Sequence, residues 1–210
     1  MIKVLIADDH AIVRRGLKQI VAETDDIVVG GEAVNGNEVM EQVRSQPFDV
    51  VVLDITMPGR NGFDTLKELK VEQPRLPVLM LSMHSEDQYA ARVLKAGASG
   101  YLPKEGAPEE LINAIRKVHT GAKYIRPSQV DRMAQSMHLD TNKPPHELLS
   151  DREFEVLRMI ASGKTPTQIA EELALSIKTV STYRARLLDK MMMKNNAELT
   201  HYAIKNALVS

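Results

Sequence analysis

The chain predicts an α/β fold, a doubly wound five-stranded parallel sheet, followed by a small all-α domain. Three observations predict it. Short apolar runs alternate with helical patterns five times in about the first 120 residues. The runs are nearly continuous rather than alternating, as in strands covered on both faces. From about residue 148 onward the pattern is helical only, which sets a second domain of different class beside the first.

The strands read as "IKVLIA" (2–7), "IVVGGEA" (27–33), "VVVL" (50–53), "PVLMLS" (77–82) and "GYLP" (100–103). Between them "AIVRRGLKQIVAE", "NEVMEQVRSQ", "FDTLKELKVE", "EDQYAARVLKAG" and "PEELINAIRKVH" space their apolar residues by three and four. Val13, Leu17, Ile20 and Val21 are one such face. Residues 1–121 form the sheet domain in this reading. Residues 122–147 form a linker, with one short helix after Pro127 and the polar, Pro-Pro-containing "HLDTNKPPHE". Residues 148–210 form the helical domain. Its first helix opens on Ser150 with Glu153 three residues later, a capping box, and closes at Gly163.

Composition narrows the classes. The chain has 210 residues, 43% hydrophobic and 26% charged, as in ordinary soluble globular proteins. It has no cysteine, so disulfides and cysteine-based zinc sites are excluded. The apolar start stops at Asp8, too soon for a secretion signal, and no segment reaches the roughly 18 apolar residues of a membrane span. A cytoplasmic location without membrane contact is expected. Net charge is -1, yet Lys178 to Lys194 carries five basic residues against the single Asp189. That is one basic helix rather than a generally basic surface.

"FDVVVLDITMPGRNG" raises the functional question, because a buried apolar run ends on Asp54 and breaks into a turn. Asp there is either a simple strand-ending turn residue or a carboxylate presented for chemistry. The first strand likewise ends on Asp8-Asp9, the fourth on Ser82, and the fifth is followed by Lys104. In an open parallel sheet these side chains converge at one edge, where ligands bind. Crowded carboxylates repel one another, and a hard divalent cation such as Mg²⁺ relieves this. Lys104 adds a fixed positive charge for an anion. The set suits a phosphoryl group joined to a carboxylate, with Asp54 as nucleophile. Singly, each residue has a plain structural reading: Asp9 caps the helix near Ala11, and Lys104 is a surface lysine.

On "DDH", "LDITMPGRNG", "LSMH" and "KAGASGYLPKE", with the strand-helix order, residues 1 to about 120 resemble the receiver (flavodoxin-like) domain of two-component response regulators. The resemblance implies that Asp54 accepts phosphate from a sensor histidine kinase. It implies Mg²⁺ held by Asp9, Asp54 and the Thr56 backbone carbonyl, with Asp8 acting directly or through water. It makes Ser82 and Tyr101 the switch pair and Lys104 the contact to the phosphoryl oxygens. There is one departure: many receivers have proline after this lysine, whereas Pro103 precedes it here and Glu105 follows. A cis bond at 104–105 would therefore be a costly non-proline one.

"TPTQIAEELALSIKTVSTYRARL" has the spacing of a helix-turn-helix. Ile169, Ala170 and Leu173 pack the first helix, Leu175 the turn, and Val180, Tyr183 and Leu187 the second, with Ser176 as its N-cap. Small Ala170 and Ala174 permit close crossing. The outward face sets Lys178, Thr179, Ser181 and Thr182 beside Arg184, Arg186 and Lys190, short polar groups for bases and cations for phosphates. Residues 148–210 resemble the output domain of LuxR-type regulators, and the whole chain the NarL/FixJ subfamily. That resemblance implies a final helix, around Ala197 to Leu208, that pairs two chains on double-stranded DNA; Met191 to Met193 either pack against it or are simply adaptable core. RNA polymerase is a further candidate partner. The reading is a phosphorylation-dependent transcriptional regulator and not an enzyme. A haloacid-dehalogenase-type phosphatase would need a second acid two residues after Asp54, where Thr56 stands. A dinucleotide-binding enzyme would need more than Gly30-Gly31. A regulator that docks a protein through its helical domain is the remaining rival.

Overall fold

The computed structural model describes residues 1–82, 87–106, 108–126 and 144–209. The chain divides into two compact units, Met1–Met133 and Ala134–Ser210. The short helix expected after Pro127 lies outside the described residues.

In the first unit β1 (Ile2–Ala7), β2 (Ile27–Ala33), β3 (Val50–Asp54), β4 (Val78–Ser82) and β5 (Gly100–Pro103) form one sheet in the order β2-β1-β3-β4-β5. All four pairings are parallel. The direction of winding reverses between β1 and β3, which makes their carboxyl ends the crevice where such sheets bind ligands. The central strands β3 and β4 are buried at every position, which explains their unbroken apolar runs. The edge strand β2 departs from that expectation, since Val28 is exposed and Gly30 sits against the stem of Lys3.

The crossover helices are α1 (Ala11–Ala22), α2 (Gly36–Ser45), α3 (Gly62–Glu72), α4 (Asp87–Lys95) and α5 (Pro108–His119). Asn35 and Asn61 cap α2 and α3, accepting from Glu38 N and Asp64 N. Val21 of α1 and Leu111, Ile112, Ile115 and Val118 of α5 pack under one sheet face with Val4, Ile6 and Leu79. Tyr124, read in sequence as linker, packs against that same core, and its N–H donates to Ser99 O at 2.8 Å. Arg126 follows with an ion pair to Glu110 at 3.0 Å.

The second unit opens with a 3₁₀ turn, Pro145–Leu148, and continues as α6 (Asp151–Ala161), α7 (Pro166–Glu172), α8 (Ile177–Lys190) and α9 (Asn196–Lys205). Ser150 and Glu153 form the predicted capping box of α6, and Gly163 follows its end at φ 84°. Ser176 caps α8 as expected. Thr165 with Gln168 adds a second box, with Pro166 in the first turn of α7. Phe154, Val156, Leu157, Ile169, Leu173, Val180, Leu187, Leu199 and Leu208 are among the buried residues of this bundle.

Three packing expectations change. Ala174 is not at a helix crossing: it is exposed at φ 51° in the α7–α8 turn, while Ala170 is buried. Tyr183 is half-buried rather than inward. Of the methionine run only Met191 is buried, and Met192 is 92% exposed, because the chain turns through φ 54° at Met192.

The 3₁₀ turn belongs to this unit. Its His146 is buried, with Nδ1 2.8 Å from the Tyr202 hydroxyl of α9 and its ring 6.3 Å from that of Phe154. A fragment starting at Pro144 should fold alone, with helical circular dichroism and a cooperative melt. One starting at Leu149 loses the ring packing and leaves the half-buried Tyr202 without this partner, a cost of about 1–3 kcal/mol. In so small a domain each kcal/mol lowers Tm by roughly 4–8 °C. Equal melting of the two fragments would show that the turn adds nothing.

Candidate phosphoacceptor pocket and DNA-binding helix

The sheet topology brings Asp8, Asp54 and Lys104 together. Asp8 follows β1 and is 0% exposed, Asp54 ends β3 and is 1% exposed, and Lys104 follows β5. Lys104 Nζ stands 2.6 Å from Asp8 Oδ2 and 2.8 Å from Asp54 Oδ2, with its side chain only 4% exposed. Its backbone N–H donates to Ser82 O at 2.7 Å, which locks the end of β5 to the end of β4. Thr56 N–H donates to Asp54 Oδ1 at 3.2 Å. Ser82 and Tyr101 are both buried. The bond from Lys104 to Glu105 is trans, as is every peptide bond among the described residues.

Two structural readings considered from sequence do not hold. Lys104 is no surface lysine, and Asp9 does not cap α1, whose N-cap is His10. The loop after Asp54 is pinned by backbone: Gly62 N–H donates to Ile55 O at 2.9 Å. A Cβ on Gly62 would overlap the Asp54 carbonyl oxygen, so only glycine fits there.

Burial sets the electrostatics. It pushes the Asp54 carboxyl up to about 7; the Lys104 charge opposes the rise and the negative Asp8 adds to it. Burial would lower Lys104, but the two carboxylates outweigh it and hold the ammonium above its ordinary value. The buried Asp8 Oδ2, Asp9 Oδ1 and Asp54 Oδ2 have no bond of hydrogen-bond geometry among the described residues. The lysine therefore meets two of them as a charge, with acceptor capacity left over. Asp8, Asp9, His10 and Asp54 each offer one ligand atom within 4.8 Å of the others. Carboxylate oxygens with unfilled lone pairs are the donor set a hard divalent cation takes. The sequence reading passed over His10, although it adjoins the acidic pair.

On α8 the candidate contact residues divide. Lys178, Ser181, Thr182 and Arg186 are exposed. The Ser181 and Thr182 hydroxyls donate back to Ile177 O (2.9 Å) and Lys178 O (3.0 Å), and each oxygen keeps acceptor lone pairs. Thr179 is half-buried, its hydroxyl 2.8 Å from that of the N-cap Ser176. Arg184 Nε donates to Asn196 Oδ1 at 2.6 Å, tying α8 to α9. Lys190 Nζ reaches the buried Glu153 at 2.7 Å, tying α8 to the start of α6. Glu153 is held below the usual carboxylate range: burial opposes this, but the Lys190 and Ser150 hydrogen bonds prevail. Spacing alone did not show that two of these cations, the half-buried Arg184 and the exposed Lys190, also have partners within the bundle.

Residues 4–116 match the response regulator receiver domain, and residues 147–203 the luxR family of bacterial regulatory proteins. The chain is 38% identical over 209 residues to the response regulator UvrY of Escherichia coli K12, covering 99% of this chain and 96% of that one. It is 35% identical over 210 residues to the response regulator GacA of Pseudomonas aeruginosa, covering 100% and 98%. Among solved structures, RcsB of Salmonella enterica serovar Typhimurium, bound to promoter rprA in the presence of the phosphomimetic BeF3-, superposes with a TM-score of 0.66 at 27% identity. That superposition covers 96% of this chain and 98% of RcsB. ChrA, the response regulator of a heme-sensing two-component system, superposes at 0.53 with 29% identity, covering 99% and 98%. With its strand-end carboxylates and lysine on the receiver fold and a capped helix-turn-helix after them, the chain belongs to the two-component response regulators of the NarL/FixJ family, transcription regulators with a receiver and a LuxR-type DNA-binding domain.

Proposed function

We propose that Asp54 is the phosphoacceptor and that its phosphorylation by a sensor histidine kinase controls binding of α8 to promoter DNA, with two chains paired through α9. The observation that carries this is Lys104 Nζ held in contact with both Asp8 and Asp54 in a buried pocket at the β1–β3 switch point. A phosphoryl group on Asp54 would meet that ammonium, which already faces the carboxylate that would carry it. The Asp54 oxygen forms the new P–O bond as the P–N bond of the kinase phosphohistidine breaks. Asp8, Asp9, Asp54 and the Thr56 carbonyl would hold Mg²⁺, which when bound neutralises the phosphoryl oxygens. Ser82 and the buried Tyr101 serve as the switch pair. RcsB bound to promoter DNA in the presence of a phosphomimetic supports the same reading for this chain.

At the DNA, Ser181 and Thr182 are the base-reading pair, with Lys178 and Arg186 on phosphates. Thr179, Arg184 and Lys190 act chiefly by holding α8 in place. The test is retention of the full chain on operator and random duplexes across a salt series, with and without a small phosphodonor. Phosphodonor should tighten operator binding in the wild type and leave Asp54→Asn unchanged. Arg186→Ala should weaken binding to both duplexes and lower the salt slope by about one. Ser181→Ala or Thr182→Ala should instead cost roughly 1–3 kcal/mol of discrimination at particular base pairs. If neither hydroxyl changes sequence preference, the wrong face of α8 has been assigned to the groove.

A further inference from the structure

His10 stands beside the three carboxylates, and capping does not account for it. It is the N-cap of α1, where Ser, Thr, Asp or Asn normally supplies an oxygen to the first-turn amides. Its side chain makes no cap bond. Instead the imidazole turns to the pocket: Nδ1 lies 2.9 Å from Asp9 Oδ1 and 3.3 Å from Asp8 Oδ1. The His10 backbone N–H donates to the same Asp8 oxygen at 2.8 Å, which fixes the ring's point of attachment. The pocket thus has two sides. Lys104 faces the Oδ2 atoms of Asp8 and Asp54, whereas His10 faces the Oδ1 atoms of Asp8 and Asp9.

Two ligand atoms at right angles about one ion, each at about 2.1 Å, are about 3.0 Å apart. The spacings of His10 Nδ1 to Asp9 Oδ1 and Asp8 Oδ1 are those of neighbouring ligands on one metal. The buried oxygens that lack hydrogen-bond partners include the Asp9 oxygen nearest the ring. We propose that His10 Nδ1 is a ligand to the divalent cation of the acidic pocket, biasing the site from Mg²⁺ toward a borderline first-row ion such as Mn²⁺ or Co²⁺. Imidazole nitrogen suits transition ions, whereas Mg²⁺ takes oxygen and holds its waters. The proposal rests on the reading that the pocket binds a divalent cation, and it adds a ligand and a metal preference to that reading. The His10 side chain is 61% exposed, so it lies on the solvent side of the site, whereas Asp8 and Asp54 are buried.

The test uses the full chain with Mn²⁺ alone as probe. Electron spin-echo spectroscopy of the bound ion should show modulation from a directly coordinated imidazole nitrogen. His10→Ala should lose that modulation while still binding Mn²⁺, and His10→Asn, which keeps a good N-cap, should lose it too. In Mg²⁺ competition the preference for Mn²⁺ should fall by at least about tenfold, since loss of even an outer-shell partner costs 10–100-fold in affinity. Bound Mn²⁺ without nitrogen modulation in the wild type overturns the proposal and leaves His10 as a counter-charge to Asp8 and Asp9. Modulation that survives in both variants overturns it as well. A wild-type chain that binds neither Mn²⁺ nor Mg²⁺ would instead remove the reading of the pocket as a cation site, and the His10 proposal with it.

Discussion

Asp54→Asn should abolish phosphorylation of the chain altogether. Incubation of the wild type with a small phosphodonor and Mg²⁺ is expected to give one singly phosphorylated species by intact mass, and chelation to suppress it. The asparagine fills the same space but offers a neutral amide, which cannot attack phosphorus. The neighbouring carboxylates are poorly placed to take over. Asp8 is buried with Oδ1 accepting the His10 N–H and Oδ2 facing Lys104. Asp9 projects past the end of β1, its side chain 31% exposed and its Oδ1 beside the His10 ring. Only Asp54 both ends a central strand and faces the lysine from the middle of the sheet. A phosphorylated Asp54→Asn protein would move the acceptor to Asp8 or Asp9.

The second large effect concerns stability without metal. The Asp54 carboxyl, at 3.8 in an ordinary setting, is raised to about 7 in the folded chain, mainly by burial. Between those values the folded protein holds a proton that the unfolded chain has released. Raising pH through that window therefore favours unfolding. The full span corresponds to a loss on the order of 4 kcal/mol. In chelator, urea unfolding of the receiver should show wild-type stability falling from pH 4 to about 7 and levelling beyond. Asp54→Asn carries no such proton, so its advantage over wild type should grow across the same window. Divalent cation should flatten the wild-type curve, because bound positive charge favours the carboxylate. Parallel wild-type and Asp54→Asn curves would show that the pocket imposes no penalty on the carboxylate. An acceptor costly to keep charged when empty and relieved by cation or phosphoryl group is a strained site whose cost the surrounding core bears.

Much of this was legible in the sequence because it is written in periodicity and local chemistry. Unbroken apolar runs marked the buried strands, and β3 and β4 are buried at every position. Ser150 with Glu153, and Ser176, marked helix starts, since a cap is decided by residues three apart. The convergence of Asp8, Asp54 and Lys104 followed from strand order alone, because parallel strands put like ends on one edge. The edge strand β2 was harder. Its exposure depends on having no neighbour beyond it, which no residue of its own records.

Side-chain partnership was the part that sequence did not carry. Arg184, Arg186 and Lys190 look alike along α8, yet Arg184 bonds Asn196, Lys190 pairs with Glu153, and Arg186 is left to solvent. Tyr124 and His146 sit in stretches of linker composition, yet each packs onto the unit beside it. His10 follows Asp9 directly in the chain, but only the turn of backbone into α1 brings its ring to two carboxylate oxygens. The chain by itself determined its strands, its helices and the acidic edge, because apolar spacing, caps and strand ends act over a few residues. Which cations brace the bundle, and that His10 turns its ring to the pocket, was decided by tertiary structure, because the first depends on approach between residues well separated along the chain and the second on the backbone path into α1.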